Sequence, residues 1–134
     1  MLLLRDLGLP PGNGQAASAG ALLLDRGFYH DGGVGFDWGR SETCVTGMVL
    51  SILAYFRLHD DRLDRITEHL LERQMTDGGW NCRRPFGAVH ASVHTTISVL
   101  EGLADFGIPH GAMITLTWLG ATTRPQGMLA FMPL

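Results

Sequence analysis

Between residues 43 and 56 the apolar positions Cys44, Val45, Met48, Val49, Ile52, Leu53 and Phe56 lie around most of a helical circumference, which predicts a helix contacted on more than one side. Residues 61–74 differ. Leu63, Ile66 and Leu70 recur at helical spacing while Asp61, Arg62, Asp64, Arg65, Glu68, Glu72 and Arg73 take the remaining positions, so this stretch predicts an amphipathic helix with one wet side. A second largely apolar helix is predicted to start near Val93. Residues 10–20, rich in Pro, Gly, Ala and Ser, predict a turn, followed by a weak helix over residues 21–26. A β reading fails, because the apolar runs are too long for ordinary strands and do not alternate with period two.

The helices are punctuated by a repeat. Asp31-Gly32-Gly33-Val34-Gly35-Phe36 returns as Asp77-Gly78-Gly79-Trp80-Asn81-Cys82, and glycine there supplies backbone angles that other residues resist. The helices after the two turns match best at an offset of fifty residues rather than forty-six, pairing Thr46 with Thr96, Val49 with Val99, Leu53 with Leu103 and Phe56 with Phe106. Four extra residues are therefore expected between Cys82 and His94. Alternating buried and half-wet helices joined by recurring turns point to an all-α fold of inner and outer helices, in which single repeats form no core of their own. Residues 1–134 are read as one partial domain, with clear repeats over 27–106. Residues 107–134 are atypical: Arg124 is their only charged side chain, and Gly111, Gly120, Pro125, Gly127 and Pro133 interrupt any helix. A truncated or frame-shifted reading frame near Pro109 is the expectation for that tail.

Composition narrows the partners. With 134 residues, 46% of them hydrophobic, the chain can bury one modest core. All ten basic residues are Arg and they are scattered; with a formal charge of −3 there is no basic stripe, which argues against nucleic acid. The N-terminal run Leu2-Leu3-Leu4 is too short for a signal or a membrane span, so no transmembrane segment is expected and the cytoplasm is the default compartment. Two cysteines in different contexts, Cys44 and Cys82, do not predict a disulfide there.

Leu70, Gln74, Gly78, Gly79 and Trp80 stand in an arrangement that resembles the Gln-Trp repeat signature of squalene and oxidosqualene cyclases, with His69 where that signature carries an aromatic residue. A Gln amide closing an outer helix can lie against an indole in the next turn and tie adjacent repeats together, so these residues are read as a structural clasp. More widely, residues 27–106, about three fifths of the chain, resemble two repeats of the α/α-toroid superfamily shared by terpenoid cyclases and protein prenyltransferase β subunits. The resemblance implies a barrel of about six helical hairpins around an apolar cavity, of which this chain can hold only part. A partial α/α toroid of alternating inner and outer helices is the resulting expectation.

Cys44 and His94 are equivalent under the fifty-residue offset, and Glu42 is two residues from Cys44. Thiolate, imidazole and carboxylate are zinc ligand types, and three of them with one open position describe a catalytic site. Glu42-Thr43-Cys44 resembles the Asp-x-Cys zinc pair of prenyltransferase β subunits, with Glu in place of Asp, and His94-Thr95 followed by Gly102-Leu103 resembles that family's His ligand region. Zinc held by Glu42, Cys44 and His94 is thus what the resemblance implies, with His90 as a substitute ligand and Cys82 a weaker one. The alternative stays open: Cys44 as a small buried hydrophobe, Glu42 as a first-turn carboxylate and His94 as a packed or capping residue. Arg40, Arg83 and Arg84 flank the helix starts and would suit a diphosphate, although solvated loop arginines fit the same positions. His59, Asp60, Asp61 and Asp64 read as helix capping on the wet rim.

The Asp-x-Asp-Asp acid of squalene-hopene cyclases and the Cys-Gly-Glu-Gln thioester motif do not occur in the chain. Phe36, Trp38, Met48, Phe56 and Trp80 would suit an isoprenoid-lined cavity and equally an ordinary core. Three functional readings follow: a prenyl-handling protein with a zinc site, a fragment of a terpene cyclase, and a non-catalytic toroid that binds an apolar small molecule. No catalytic residue is assigned. A second copy of the chain, or a missing half-barrel, is the expected macromolecular partner.

Overall fold

The computed structural model describes residues 1–36 and 39–108, so Trp38 and residues 109–134, including most of the atypical tail, lie outside the described residues. The described residues are all-α. Five helices follow in order: α1 (Leu2–Asp6), α2 (Gly14–Gly27), α3 (Thr43–Tyr55), α4 (Arg62–Glu72) and α5 (Val93–Phe106), with one 3₁₀ turn at Arg84–Phe86. The only extended pairing among them is an isolated antiparallel bridge between Phe28 and Val34. No helix among the described residues is long and apolar enough to cross a membrane.

Helix α3 contacts α1, α2, α4 and α5, and its closest partner is α5. This explains its apolar circumference: Thr43, Thr46, Gly47, Val49, Leu50, Ser51, Ile52 and Leu53 are all buried. The α3–α5 seam is held by glycine. A Cβ on Gly47 would stand 2.6 Å from the Ser98 carbonyl oxygen, and one on Gly102 would stand 2.4 Å from the Gly47 carbonyl oxygen, so the two backbones touch with no side chain between them. Around the seam Leu50, Leu53, Leu63, Ile66, Leu70, Trp80, Val99 and Leu103 form the main core. Ala16, Ile52 and Phe56 form a smaller one against Leu9 and Leu23, closed by a hydrogen bond from the Tyr55 hydroxyl to the Leu9 carbonyl at 3.0 Å.

Helix α4 buries Leu63, Ile66 and Leu70, as its spacing predicts, and also Thr67 and His69. Helix α2 begins seven residues earlier than the expected weak helix over 21–26, at Gly14. Asn13 caps it by accepting the Ala16 N–H at 3.0 Å, and the alanines that follow are the strongest helix formers, which outweighs the neighbouring Gly and Ser.

The two halves close their helices alike. After α3, Arg57 N–H bonds to the Ala54 carbonyl at 3.1 Å and Leu58 N–H to Leu53 at 2.9 Å; after α5, Gly107 bonds to Ala104 at 3.0 Å and Ile108 to Leu103 at 3.0 Å. Both Arg57 (φ 54°) and Gly107 (φ 98°) are left-handed, as this kind of helix end requires.

Candidate functional site

The two Asp-Gly-Gly turns deliver the chain to the starts of α3 and α5 through the same bonds. Tyr29 N–H meets the Gly33 carbonyl at 2.9 Å, and Met75 N–H meets Gly79 at 2.9 Å; Gly32 and Gly78 have φ of 87° and 88°. One threonine then grips each turn. Thr46 Oγ1 accepts the Val34 N–H at 2.9 Å and lies 3.1 Å from the Val34 carbonyl; Thr96 Oγ1 accepts the Trp80 N–H at 3.0 Å and lies 3.3 Å from the Trp80 carbonyl. The residues capping the helices also correspond, since Glu42 N–H bonds to Val34 and Ser92 N–H to Trp80, at 2.9 and 2.8 Å. Twelve residues separate Val34 from Thr46 and sixteen separate Trp80 from Thr96. The additional chain lies in the segment that carries the exposed 3₁₀ turn.

Gln74 and Trp80 act through the backbone. The Gln74 amide donates to the Gly78 carbonyl at 2.7 Å, and the Trp80 indole N–H donates to the Leu70 carbonyl at 2.6 Å from a site that is 1% exposed. The buried indole N–H thus finds its partner in a carbonyl near the end of α4, which also accepts the Arg73 N–H at 3.2 Å, while the ring fills the core. Gly79 has no room for a side chain, because a Cβ there would meet the Ala91 Cβ at 2.5 Å.

The expected zinc residues sit at the helix starts. Glu42 is the residue before α3, half-buried; Cys44 is the second residue of α3, half-buried; His94 is the second residue of α5 and exposed. The Cys44 sulfur lies 2.9 Å from the sulfur of Cys82. Among the described residues, no three His, Cys, Asp or Glu side chains form a group that could hold a metal ion. Burial, followed by the hydrogen bond to Cys82, pushes the Cys44 thiol up to about 12, so this sulfur is held in its neutral form.

Cys82 reaches that position because the threonine pair binds alternate residues of the extended segment. Thr96 Oγ1 takes the Trp80 N–H, Thr95 Oγ1 takes the Cys82 N–H at 3.3 Å, and Thr95 Oγ1 also lies 3.0 Å from the Cys82 sulfur.

The arginines are engaged locally. The Arg40 guanidinium lies over the Phe86 ring at 4.7 Å, Arg84 donates to the Arg73 carbonyl at 3.1 Å, and Arg83 is exposed. On the rim Asp60 accepts from both the backbone and the guanidinium of Arg62, at 2.9 and 2.7 Å, a local cap that holds the Asp60 carboxyl below its ordinary range.

Beneath the first turn, His69 is 3% exposed and its Nδ1 bonds to the Asp31 carbonyl oxygen at 2.9 Å. That bond makes Nδ1 the protonated nitrogen of the neutral ring. Burial lowers the His69 pKa, and the bond to Asp31 opposes this only in part. Burial alone would raise the Asp31 carboxyl. Hydrogen bonds from the Ser41 hydroxyl at 2.6 Å and the Gly33 N–H at 3.1 Å, with the nearby His69 and Arg73, lower it overall. Comparison with protein-family models, with curated proteins and with solved structures gives no match for this chain.

Proposed function

We propose that the chain is a segment of an α/α toroid of the terpenoid-cyclase and prenyltransferase kind, and that it binds an isoprenoid or similar apolar small molecule. The observation that carries this reading is the recurrence of one junction. Turn, threonine grip, helix and left-handed helix end all return, the last three at the fifty-residue offset, and the residues from Leu70 to Trp80 resemble the Gln-Trp signature of the cyclases in sequence. A repeat of this kind is built to be continued. Val93 and Ile97, 77% and 51% exposed on α5, mark a flank that a further hairpin or a second copy would cover.

Binding without chemistry is the form of this proposal that the site favours, since Cys44 is occupied by Cys82 and two of the three candidate diphosphate arginines are held by other partners. The test is titration of the full chain with squalene and with farnesyl diphosphate, followed by tryptophan fluorescence and equilibrium dialysis. Saturable binding of both supports a toroid that reads the isoprenoid chain. Binding of the diphosphate alone, abolished in Arg40→Ala or Arg83→Ala, would favour the prenyltransferase-like reading, and binding of neither overturns the proposal. The zinc element is checked by metal content: one zinc per chain, lost in Cys44→Ser and His94→Ala but kept in Cys82→Ser, supports the Glu42, Cys44 and His94 set. Metal-free protein after growth and purification in zinc removes it.

A further inference from the structure

We infer that Cys44 and Cys82 form a reversible disulfide that staples the first turn of α3 to the segment leading into α5. Their sulfurs are 2.9 Å apart, so less than about 1 Å of movement completes an S–S bond of about 2.05 Å. Both side chains are half-buried, accessible enough for a small oxidant yet restricted enough to favour each other over a foreign thiol. The approach is imposed by the fold. Cys44 is fixed by α3, whose start is tied to Val34, and Cys82 is fixed through its own N–H on Thr95 of α5. The cysteines are thirty-eight residues apart in sequence, and the loop they close contains most of α3, all of α4 and the second turn.

The chemistry requires an oxidant of the small-molecule disulfide class. Cys82, as the thiolate, displaces half of that molecule as a thiolate and forms a mixed disulfide, since Cys44 is the thiol held neutral. Cys44 then gives its proton to the solvent or to the departing thiolate and displaces the other half, so two protein thiols are oxidised and one disulfide is reduced to two thiols. An excess of small-molecule thiol reverses both steps. The inference stands apart from the isoprenoid reading, because it rests only on the two sulfurs and the elements that hold them.

The experiment incubates the folded full chain in glutathione buffers from reducing to oxidising, then blocks free thiols under denaturing conditions for intact-mass and peptide analysis. The expected result is one intrachain Cys44–Cys82 disulfide, no alkylation at either position, and a rise in Tm of about 10 °C that added thiol reverses. Cys44→Ser and Cys82→Ser should each abolish both the bridge and the rise. Two alkylatable thiols at the oxidising end, stable glutathione adducts or only interchain dimers would overturn the inference. So would a bridge that forms without raising Tm, since the fold would then favour the bond no more than the unfolded chain does.

Discussion

At the first turn, the Asp31 carboxylate collects the Ser41 hydroxyl, the Gly33 N–H and Arg73, over a buried His69; at the second, Asp77 takes the Ala91 N–H at 2.7 Å. The core residue of the first turn is Val34, bridged to Phe28, while that of the second is Trp80, whose indole reaches across to α4. The backbone bonds and the threonine grip are the same in both. What differs is how each turn is tied to its surroundings beyond its carboxylate: the first through a buried histidine and an arginine, the second through an aromatic ring. The shared part fixes the path of the chain, and the variable part decides what loosens each turn.

The largest test of that contrast removes the aromatic tie. Trp80→Ala is expected to cost about 3–5 kcal/mol in denaturant unfolding, from the cavity left by the indole and the loss of its bond to the Leu70 carbonyl. Val34→Ala should cost roughly 2 kcal/mol, for the smaller volume lost. Equal losses would show that the indole contributes nothing beyond its turn.

Removing the shared grip should hurt both turns. Thr46→Val and Thr96→Val each strand a turn N–H and are expected to cost about 1–3 kcal/mol, with Thr46 at the upper end because it is fully buried and Thr96 is not. A reversed order by chemical denaturation would mean that the second junction carries more of the load.

A smaller effect separates the turns by pH. His69 is held neutral below its ordinary value of 6.5, so the unfolded chain takes up its proton first. The stability it contributes is complete above that value and is lost as pH falls from 6.5 toward its folded pKa. Asp31 and Asp77, both lowered from 3.8, lose theirs only at more acid pH. Hydrogen exchange at Gly32–Gly33 should therefore accelerate on going from pH 7 to pH 5 relative to Gly78–Gly79, by several-fold after correction for intrinsic rates. His69→Phe should remove the difference. An acceleration of equal size at both turns would contradict this assignment.

The smallest test concerns the matched helix ends. Arg57 holds a left-handed conformation that Gly107 adopts without strain, so Arg57→Gly is expected to gain about 0.5 kcal/mol, the relief of Cβ strain being partly offset by glycine's entropy. A loss in Tm would indicate that the Arg57 side chain has a stabilising contact.

The helices and the repeat were legible because they rest on local signals: long apolar runs, glycine turns, and a fifty-residue match that now coincides with matched hydrogen bonds. The start of α2 was not, because Asn13 and the alanines after it sit among glycine, proline and serine that mark turns in most contexts. The cysteine pair was hidden for a different reason. Cys44 and Cys82 are brought together by tertiary packing, and comparing only equivalent repeat positions draws attention to His94 and away from the loop residue. His69, read as a departure from an aromatic position, turns out to be a buried polar anchor whose partner is thirty-eight residues away.

The segment after the second turn is fastened at its neck. Trp80 bonds to Ser92 and to Thr96, and Asp77 bonds to Ala91, so residues 81–91 leave and re-enter the fold through adjacent points. Pro85 and Phe86, near the middle of that excursion, are exposed. For protein engineering this is a grafting port. A foreign peptide spliced after Phe86 would lengthen a loop whose ends are already joined, and doubling such a loop costs only about 0.6 kcal/mol of closure entropy. The helices on either side would keep their spacing while the graft is displayed to solvent.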